Sequence, residues 1–263
     1  MFKKLLQKAF WLWRLLATAS AFTLFGIGGM LVPFIAVPIL YLLPGGQAKR
    51  QYRARQMVHW LFKIFVRYMR IVGILRWKVE GLEKLQRPGL LILANHPTLL
   101  DVVFLGSLVP NATCVVKSAL RNNPAMRGFV SMTGYITNDD GKELISASEA
   151  ALQKGSSLLI FPEGTRSTKG EPMSFQRGAS NIAVRCQKDV TPVIINCAPA
   201  TLSKEHKWYN IPDRPFVMSF CVQEDIPHSL FAEGRATVAS RKLTHYLEAY
   251  FTKESDLHAK RHS

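Results

Sequence analysis

The most informative stretch for chemistry holds a histidine and an aspartate five positions apart, His96 and Asp101. The apolar run Leu91–Asn95 predicts a short buried strand, and Pro97 ends it before an apolar helix that starts at about Leu99. His96 is therefore expected at the carboxyl end of a strand, where open α/β sheets place their sites. A carboxylate in the next helical turn can hold one imidazole nitrogen as N–H, which leaves the other nitrogen to accept a proton.

The chemistry that suits this pair is removal of a proton from a substrate hydroxyl. No serine or cysteine stands close to His96 in the sequence to serve as a nucleophile. The histidine is then expected to act as a general base on the substrate itself. Thr98 is predicted to cap the helix, which runs to about Val109 and carries Asp101 in its first turn.

A second strand also runs into a charged turn. Ser157–Ile160 is apolar enough to be buried, and the segment that follows, Phe161–Ser167, has the sequence FPEGTRS. Gly164 allows a backbone bend, and Glu163 offers a hydrogen-bond acceptor. Arg166 offers a planar, permanently charged guanidinium that suits phosphate. This turn is therefore a second group of candidate site residues.

Together the two stretches resemble the signature blocks of the lysophospholipid acyltransferase family, which includes the 1-acylglycerol-3-phosphate O-acyltransferases. That family carries N-H-x4-D and, further along the chain, F-P-E-G-T-R-S, and both are present in full. The resemblance implies transfer of a fatty acyl group from a thioester to a lysophospholipid hydroxyl. The expected acceptor is 1-acylglycerol 3-phosphate, which would give phosphatidic acid, with His96 and Asp101 as the catalytic residues.

The resemblance also assigns the substrate-binding residues. Glu163, Gly164 and Thr165 are expected to position the acceptor, and Arg166 together with Lys117 is expected to bind its phosphate. The implied co-substrate is acyl-CoA or an acyl-carrier protein. No resident cofactor and no metal are expected.

One position departs from the family pattern. In Gly134–Asp140 the residue expected to be an arginine is Asp140, a reversal of charge. Two interpretations of Asp140 stay open. The acceptor is a different lipid, such as an ornithine lipid or an aryl-polyene-type lipid, or the alignment slips by a residue or two. For the chain as a whole, a non-catalytic basic membrane-binding protein is a further alternative.

The net charge of +16 is concentrated at one end of the chain. Residues 1–80 carry 13 lysines and arginines against one acidic residue, whereas the remaining 183 carry 21 against 17. The same quarter of the chain is strongly apolar, a combination that favours an anionic membrane surface. Nucleic acid is not expected as a partner, because a DNA-binding footprint is not normally joined to a long apolar run.

Residues 1–46 are predicted to be a membrane anchor. Leu15–Leu43 has no charge over 29 residues, so a single helix would span roughly 43 Å against a hydrocarbon core of roughly 30 Å. Glycines and prolines interrupt the run, so a transmembrane helix and a re-entrant hairpin both remain open. Basic residues flank both ends, which favours both ends on the cytoplasmic side. The expected location is a membrane (the inner membrane, if the source is bacterial), with the catalytic domain facing the cytoplasm.

The rest of the chain predicts an α/β fold, a mostly parallel sheet flanked by helices. Residues 47–80 are predicted to form a basic amphipathic helix and an edge strand, and residues 81–255 the catalytic domain. Residues 256–263 are expected to be a disordered tail. The four scattered cysteines are expected to be reduced in a domain that faces the cytosol, and the oligomeric state is left open.

Overall fold

The structure, a computed structural model, describes residues 2–138, 140–168, 170–231 and 233–262. The strands in these ranges are β1 Leu75–Glu80, β2 Leu91–Ala94, β3 Ala112–Val116, β4 Ile136–Thr137, β5 Ser157–Ile160, β6 Val190–Ala198 and β7 Phe216–Val222. The helices are α1 Phe2–Leu42, α2 Gly46–Ile71, α3 Asp101–Leu108, α4 Ser118–Asn122, α5 Pro124–Thr133, α6 Gly141–Gln153, α7 Gly178–Arg185 and α8 Ala236–His262. Short 3₁₀ turns cover Leu82–Gln86 and His228–Phe231.

The strands form one sheet in the order β1-β7-β6-β2-β5-β3-β4. Each neighbouring pair is parallel except β6 and β7, which are antiparallel. The prediction of an α/β fold with a mostly parallel sheet flanked by helices is therefore confirmed. β1 lies at one edge of the sheet, as expected, and β2 lies near its centre between β6 and β5.

Helices cover both faces of β2, which explains why this strand is an unbroken apolar run. Leu91 and Leu93 are buried on one face, in a cluster that includes residues of α7 and α8. Ile92 and Ala94 are buried on the other face, in a cluster with residues of α1, α2 and α3. Alternate side chains of a strand point to opposite faces, so the two clusters hold β2 rigidly just before His96.

The N-terminal segment forms one continuous helix, α1, and not a pair of short helices. Pro33 and Pro38 lie inside it without ending it. By length and composition α1 is apolar enough to cross a membrane, and only 17% of its most apolar window is buried within the structure. The few buried positions are small or on one face, such as Ala17, Ala21 and Leu40, and they pack α1 against α2 and α5.

The prediction of a disordered tail is wrong for residues 256–262, which continue helix α8; Ser263 lies outside the described residues. The inward face of α8 continues from Leu247 and Phe251 to His258, which is only 3% exposed. No glycine or proline interrupts this stretch. A helix that is already packed extends at little cost in free energy. The polar composition of residues 256–262 was therefore not sufficient evidence for disorder.

Candidate active site

The sheet brings the two charged turns of the sequence together. β2 and β5 are parallel neighbours, with Leu93 paired to Ile160. Parallel strands end at the same edge, so the segments that follow them, His96–Asp101 and Phe161–Ser167, meet at the carboxyl edge of the sheet. This is the position where open α/β sheets bind their ligands.

His96 and Asp101 form the hydrogen-bonded pair that their spacing predicts. The Nδ1 atom of His96 lies 2.8 Å from Oδ2 of Asp101. The Asp101 side chain is fully buried, whereas the imidazole of His96 is 17% exposed. Because the buried carboxylate occupies Nδ1, the Nε2 atom is the one left for a substrate.

Thr98 completes the surroundings of the carboxylate. Its backbone N–H donates to Oδ2 of Asp101 at 2.8 Å, and its hydroxyl donates to Oδ1 at 2.6 Å. Burial raises the pKa of Asp101, while the hydrogen bonds from His96 and Thr98 lower it. With donors on both oxygens, the group is held in the orientation in which it accepts from the imidazole N–H.

The predicted start of the following helix is wrong by two residues, since α3 begins at Asp101 and not at Leu99. Thr98 instead closes the preceding turn, where its hydroxyl accepts from the N–H of Leu100 at 3.1 Å. The carboxylate of Asp101 reaches back to accept from the N–H of Thr98, and the hydroxyl of Thr98 donates to the same carboxylate. This tight turn folds Asp101 back onto His96.

Glu163 contacts the backbone of the histidine. The N–H of His96 donates to Oε1 of Glu163 at 3.0 Å, and the hydroxyl of Ser167 donates to the same oxygen at 2.7 Å. The N–H of Ser167 in turn donates to the carbonyl of His96 at 2.8 Å. Burial raises the pKa of Glu163. The contact that the structure shows is therefore a clamp on His96, and acceptor positioning by Glu163 stays a prediction.

Arg166 is half-buried and directed at a loop. Its Nη1 atom donates to the carbonyls of Leu202 and Ser203, at 3.0 and 2.8 Å. The same loop accepts from the N–H of Leu99 through the carbonyl of Leu202 at 3.0 Å. Arg166 therefore ties the β6–β7 loop to the site, and phosphate binding by its guanidinium stays a prediction.

The remaining predicted site residues lie at the same edge of the sheet. Gly164 has a φ of +67°, and its N–H closes a turn on the carbonyl of Phe161 at 3.0 Å. Gly164 and Thr165 are exposed. Lys117, also exposed, follows β3, which is separated from β2 by β5. At about 4.8 Å per strand, Lys117 begins about 10 Å from the histidine strand, so it shares the edge but is not part of the His96 cluster.

Two positioning residues were not singled out from the sequence, although both lie inside the quoted blocks. The ring of Phe161 stacks on the imidazole of His96, with centroids 4.3 Å apart. The buried amide of Asn95 donates to the carbonyl of Ile195 at 2.8 Å and accepts from its N–H at 2.7 Å. Asn95 thus extends the β2–β6 pairing by one side chain, up to the histidine itself.

Asp140, the departure from the family pattern, has a local structural role. Its carboxylate accepts from the N–H of Lys142 at 2.7 Å and caps α6. An aspartate is favoured at this position because the helix dipole stabilises a negative charge at the N-terminus. Asp139, its neighbour in the same block, lies outside the described residues.

A narrow apolar cleft of about 60 Å³ adjoins the histidine turn. Leu99 and Leu100 form one side of it. The other sides come from α1, α2 and the β6–β7 loop, with Phe22, Phe25, Met69 and Trp208 among the lining side chains. In the part of the chain that is described, no group of three His, Cys, Asp or Glu side chains is arranged to hold a metal ion.

The fold and the site place a hydrogen-bonded histidine–aspartate pair beside an apolar cleft at the carboxyl edge of a mostly parallel sheet. Residues 76–196 match the family model described as Acyltransferase. A 1-acyl-sn-glycerol-3-phosphate acyltransferase of Pseudomonas aeruginosa is 28% identical over 245 residues, which cover 91% of this chain and 87% of that protein. One of Helicobacter pylori is 31% identical over 60% of this chain and 70% of that protein. The chain belongs to the acyltransferase family and is an acyltransferase.

The fold has a solved counterpart. The crystal structure of the 1-acyl-sn-glycerophosphate (LPA) acyltransferase from Thermotoga maritima superimposes with a TM-score of 0.72. The two chains are 20% identical, and the match covers 92% of this chain and 95% of the other. At this identity the similarity establishes the fold alone.

Proposed function

We propose that the protein transfers a fatty acyl group from a thioester to the free hydroxyl of 1-acyl-sn-glycerol 3-phosphate and so forms phosphatidic acid. The observation that carries this proposal is the 2.8 Å contact between His96 and the buried Asp101. The relatives from Pseudomonas aeruginosa and Helicobacter pylori are named for acyl transfer to 1-acyl-sn-glycerol 3-phosphate, which supports the choice of acceptor.

The reaction is a direct transfer between two bound substrates. Nε2 of His96 takes the proton from the acceptor hydroxyl as the hydroxyl oxygen attacks the thioester carbonyl. The C–S bond then breaks, the thiolate leaves, and the imidazolium returns the proton to the sulfur. Asp101 holds the tautomer in which Nε2 is basic and stabilises the imidazolium that forms transiently. No acyl-enzyme is required.

The acceptor's phosphate needs a cationic partner at the same edge of the sheet. Arg166 and Lys117 are the side chains we assign to it, with the exposed turn at Gly164 and Thr165 beneath the glycerol. Part of the Arg166 guanidinium is already committed to Leu202 and Ser203, so its contribution includes shaping the pocket wall. Acyl-CoA or an acyl-carrier protein is the donor.

The protein works at a membrane surface, where both lipid substrates are found. Large apolar side chains of α1 are exposed along its length, for example Phe10, Trp13, Phe34 and Leu42. Exposed apolar area on this scale is typical of a membrane contact. The cleft beside Leu100 leads from α1 to the histidine turn, so it is the natural path for an acyl chain. We place the catalytic domain on the cytoplasmic side.

A product assay with a histidine variant tests this function. Purified wild-type protein, His96→Ala and the surface control His228→Ala are given acyl-CoA and 1-acyl-sn-glycerol 3-phosphate, and phosphatidic acid is measured by mass spectrometry. We expect His96→Ala to lose nearly all product while the control keeps wild-type turnover. No product from the wild-type protein with either acyl-CoA or acyl-carrier protein as donor contradicts the proposal, as does full activity of His96→Ala.

A further inference from the structure

A second cavity lies between α1, α2, α4 and α5, and the proposed reaction does not use it. It has a volume of about 580 Å³, which is within the range of small-ligand sites. Three arginines line it, Arg50, Arg121 and Arg127, and we call it the arginine cavity. None of the described residues that line it is acidic, so this described lining carries a charge of +3.

The arginine cavity is separate from the catalytic edge. Met69 lines the cleft beside Leu100, whereas Arg50 lines the arginine cavity, and both belong to α2. The difference of 19 positions between them corresponds to about 28 Å along the helix. The two cavities have no lining residue in common. A ligand in the arginine cavity therefore need not compete with a ligand at His96.

The start of α2 adds to the positive character of the arginine cavity. Gln47 and Arg50 line it from the first turns of this 26-residue helix. In the described chain, Gly45 gives that turn no side-chain hydrogen bond, and no acidic residue occupies it. Free N–H groups at a helix start together with nearby arginines make a binding site for a phosphoryl group.

The remaining wall of the cavity is apolar and belongs to α1. Val37, Leu40 and Tyr41 line it, and the guanidinium of Arg50 lies 4.4 Å above the ring of Tyr41. The outward face of the same helix exposes Phe34 and Leu42, at 79% and 85%. A ligand that fits therefore has an anionic head for the arginines and a long apolar part that can lie along α1.

We infer that the arginine cavity binds the phosphoryl head group of an anionic membrane phospholipid whose acyl chains lie along α1. The three arginines and the start of α2 neutralise the phosphate. Tyr41, Leu40 and Val37 contact the glycerol and the first methylenes. One bound lipid would contact α1, α2 and α5 together. It would also hold the end of α1 and α2 that is distant from His96 against an anionic bilayer.

The test measures lipid retained by the full chain in detergent, by native mass spectrometry. Phosphatidylglycerol is the probe, because it is neither substrate nor product of the proposed reaction. We expect one bound phosphatidylglycerol, with at least tenfold tighter binding than phosphatidylcholine. The triple variant R50Q/R121Q/R127Q is expected to bind it at least tenfold more weakly than the wild type.

The matched control removes the same charge outside the cavity. The variant K49Q/K63Q/R67Q changes three cations of α2 that do not line the cavity, and it is expected to bind within twofold of the wild type. Ser131→Trp fills the cavity without altering charge and should also abolish retention. Thermal melts followed by circular dichroism confirm that each variant is folded.

Several results overturn the inference. Equal losses in the control and in R50Q/R121Q/R127Q would mean general surface attraction. Unchanged retention in Ser131→Trp would place the lipid elsewhere. If soluble glycerol 3-phosphate bound as tightly as the lipid, the apolar side chains of α1 would have no role in binding. A loss of acyl-carrier-protein binding without loss of lipid in the arginine variant would make the cavity a protein-docking site.

Discussion

The backbone N–H of His96 donates a hydrogen bond to Oε1 of Glu163 at 3.0 Å, and these two residues follow different strands, β2 and β5. The carboxylate of Glu163, in the FPEGTRS segment, thus holds the main chain of the N-H-x4-D segment at His96. A displacement of about 1 Å in a catalytic group can cost about 100-fold in rate. The position of the imidazole therefore depends on a carboxylate that does not touch its ring nitrogens.

Two substitutions of Glu163 separate this positioning role from direct binding of the acceptor. Glutamine keeps an oxygen that can accept from His96 N–H and Ser167 O–H, so Glu163→Gln is expected to retain turnover within about tenfold. Glu163→Ala removes the acceptor altogether and is expected to lower kcat about 100-fold, with little change in KM. Steady-state kinetics with varied 1-acyl-sn-glycerol 3-phosphate measures both constants.

The opposite pattern identifies a substrate contact. If Glu163→Gln and Glu163→Ala raise KM alike and leave kcat intact, Glu163 binds the acceptor and does not position the base. Ser167→Ala is the control for the shared hydrogen bonds, since it removes one donor to Glu163 and the longer 3.2 Å acceptor of His96 N–H, while the contact between Glu163 and His96 stays in place.

The buried carboxylate gives a second prediction. Asp101→Asn keeps the shape of the side chain but can present an N–H to Nδ1, which favours the wrong tautomer of His96. A loss in kcat on the order of 10³–10⁴-fold is expected, as in other oriented histidines. The matched control is Asp189→Asn, because Asp189 also lies 2.8 Å from a histidine, His228, but at the surface. Comparable activity of the two variants would contradict the assignment.

Arg166 provides a third prediction, about the loop that it holds. Without its hydrogen bonds to Leu202 and Ser203, the loop between β6 and β7 is expected to open more often. Limited trypsin digestion of Arg166→Ala should then cleave at the exposed Lys204 and Lys207 several-fold faster than in the wild-type protein.

The control for Arg166→Ala is Arg177→Ala, an exposed arginine at the start of α7. It removes the same charge without touching the β6–β7 loop. Unchanged cleavage in Arg166→Ala, combined with a raised KM for the acceptor, would mean that Arg166 serves the phosphate alone. Faster cleavage together with a raised KM would mean that the two roles are joined.

Local patterns in the sequence predicted the sheet and the histidine pair. Strands such as Ser157–Ile160 are short apolar runs bounded by turn residues, and the pairing of His96 with Asp101 needs only one tight turn. Interactions between distant segments were not predictable in the same way. No local signal indicates that Arg166 meets Leu202, because the loop returns to the site only after β6 has been placed.

Helix α8 shows where a local pattern gave a wrong face. The helical spacing of its apolar residues predicts that Tyr246 faces inward with Leu243 and Leu247, but Tyr246 is 43% exposed, whereas Phe251 is fully buried. The position of a helix on the sheet decides which side of a wide apolar stripe is covered. That position depends on α7, which packs along α8, and it cannot be predicted from the sequence of α8 alone.

Arg55 carries a fourth prediction, on stability. It is half-buried and links α2 to three separate segments, donating to Asn111 Oδ1 at 2.7 Å, to the Thr133 carbonyl at 2.9 Å and to Ser156 Oγ at 3.3 Å. Arg55→Ala removes a donor from three partly buried acceptors and is expected to lower the free energy of unfolding by about 2 kcal/mol. Arg53, two residues earlier, is partly exposed and donates to the Pro44 carbonyl at 2.8 Å, so Arg53→Ala should change it by less than about 1 kcal/mol.

Chemical denaturation in detergent, followed by circular dichroism, measures the effect of both arginine substitutions. If Arg53→Ala costs as much as Arg55→Ala, the loss reflects helix propensity or surface charge. If neither variant is destabilised, α2 is held on the domain by its apolar face alone, through residues such as Val58 and Met69.

Asp225 gives the last prediction, on pH. Arg87 donates to both of its oxygens, at 2.8 and 3.0 Å, and the hydroxyl of Thr191 donates at 2.7 Å. The hydrogen bond from Arg87 lowers the pKa of Asp225 below its usual value. The stabilisation is therefore fully present above about pH 4, the unfolded value, and is lost as the pH falls through the lower folded pKa. Because the Arg87 side chain is 48% exposed, solvent screening limits the effect to about 1 kcal/mol.

Thermal melts of Asp225→Asn and the wild-type protein measure this effect. The Tm of Asp225→Asn should lie below that of the wild type at pH 7 and should equal it near pH 2. A difference in Tm that persists at pH 2 would show that packing, and not charge, is responsible.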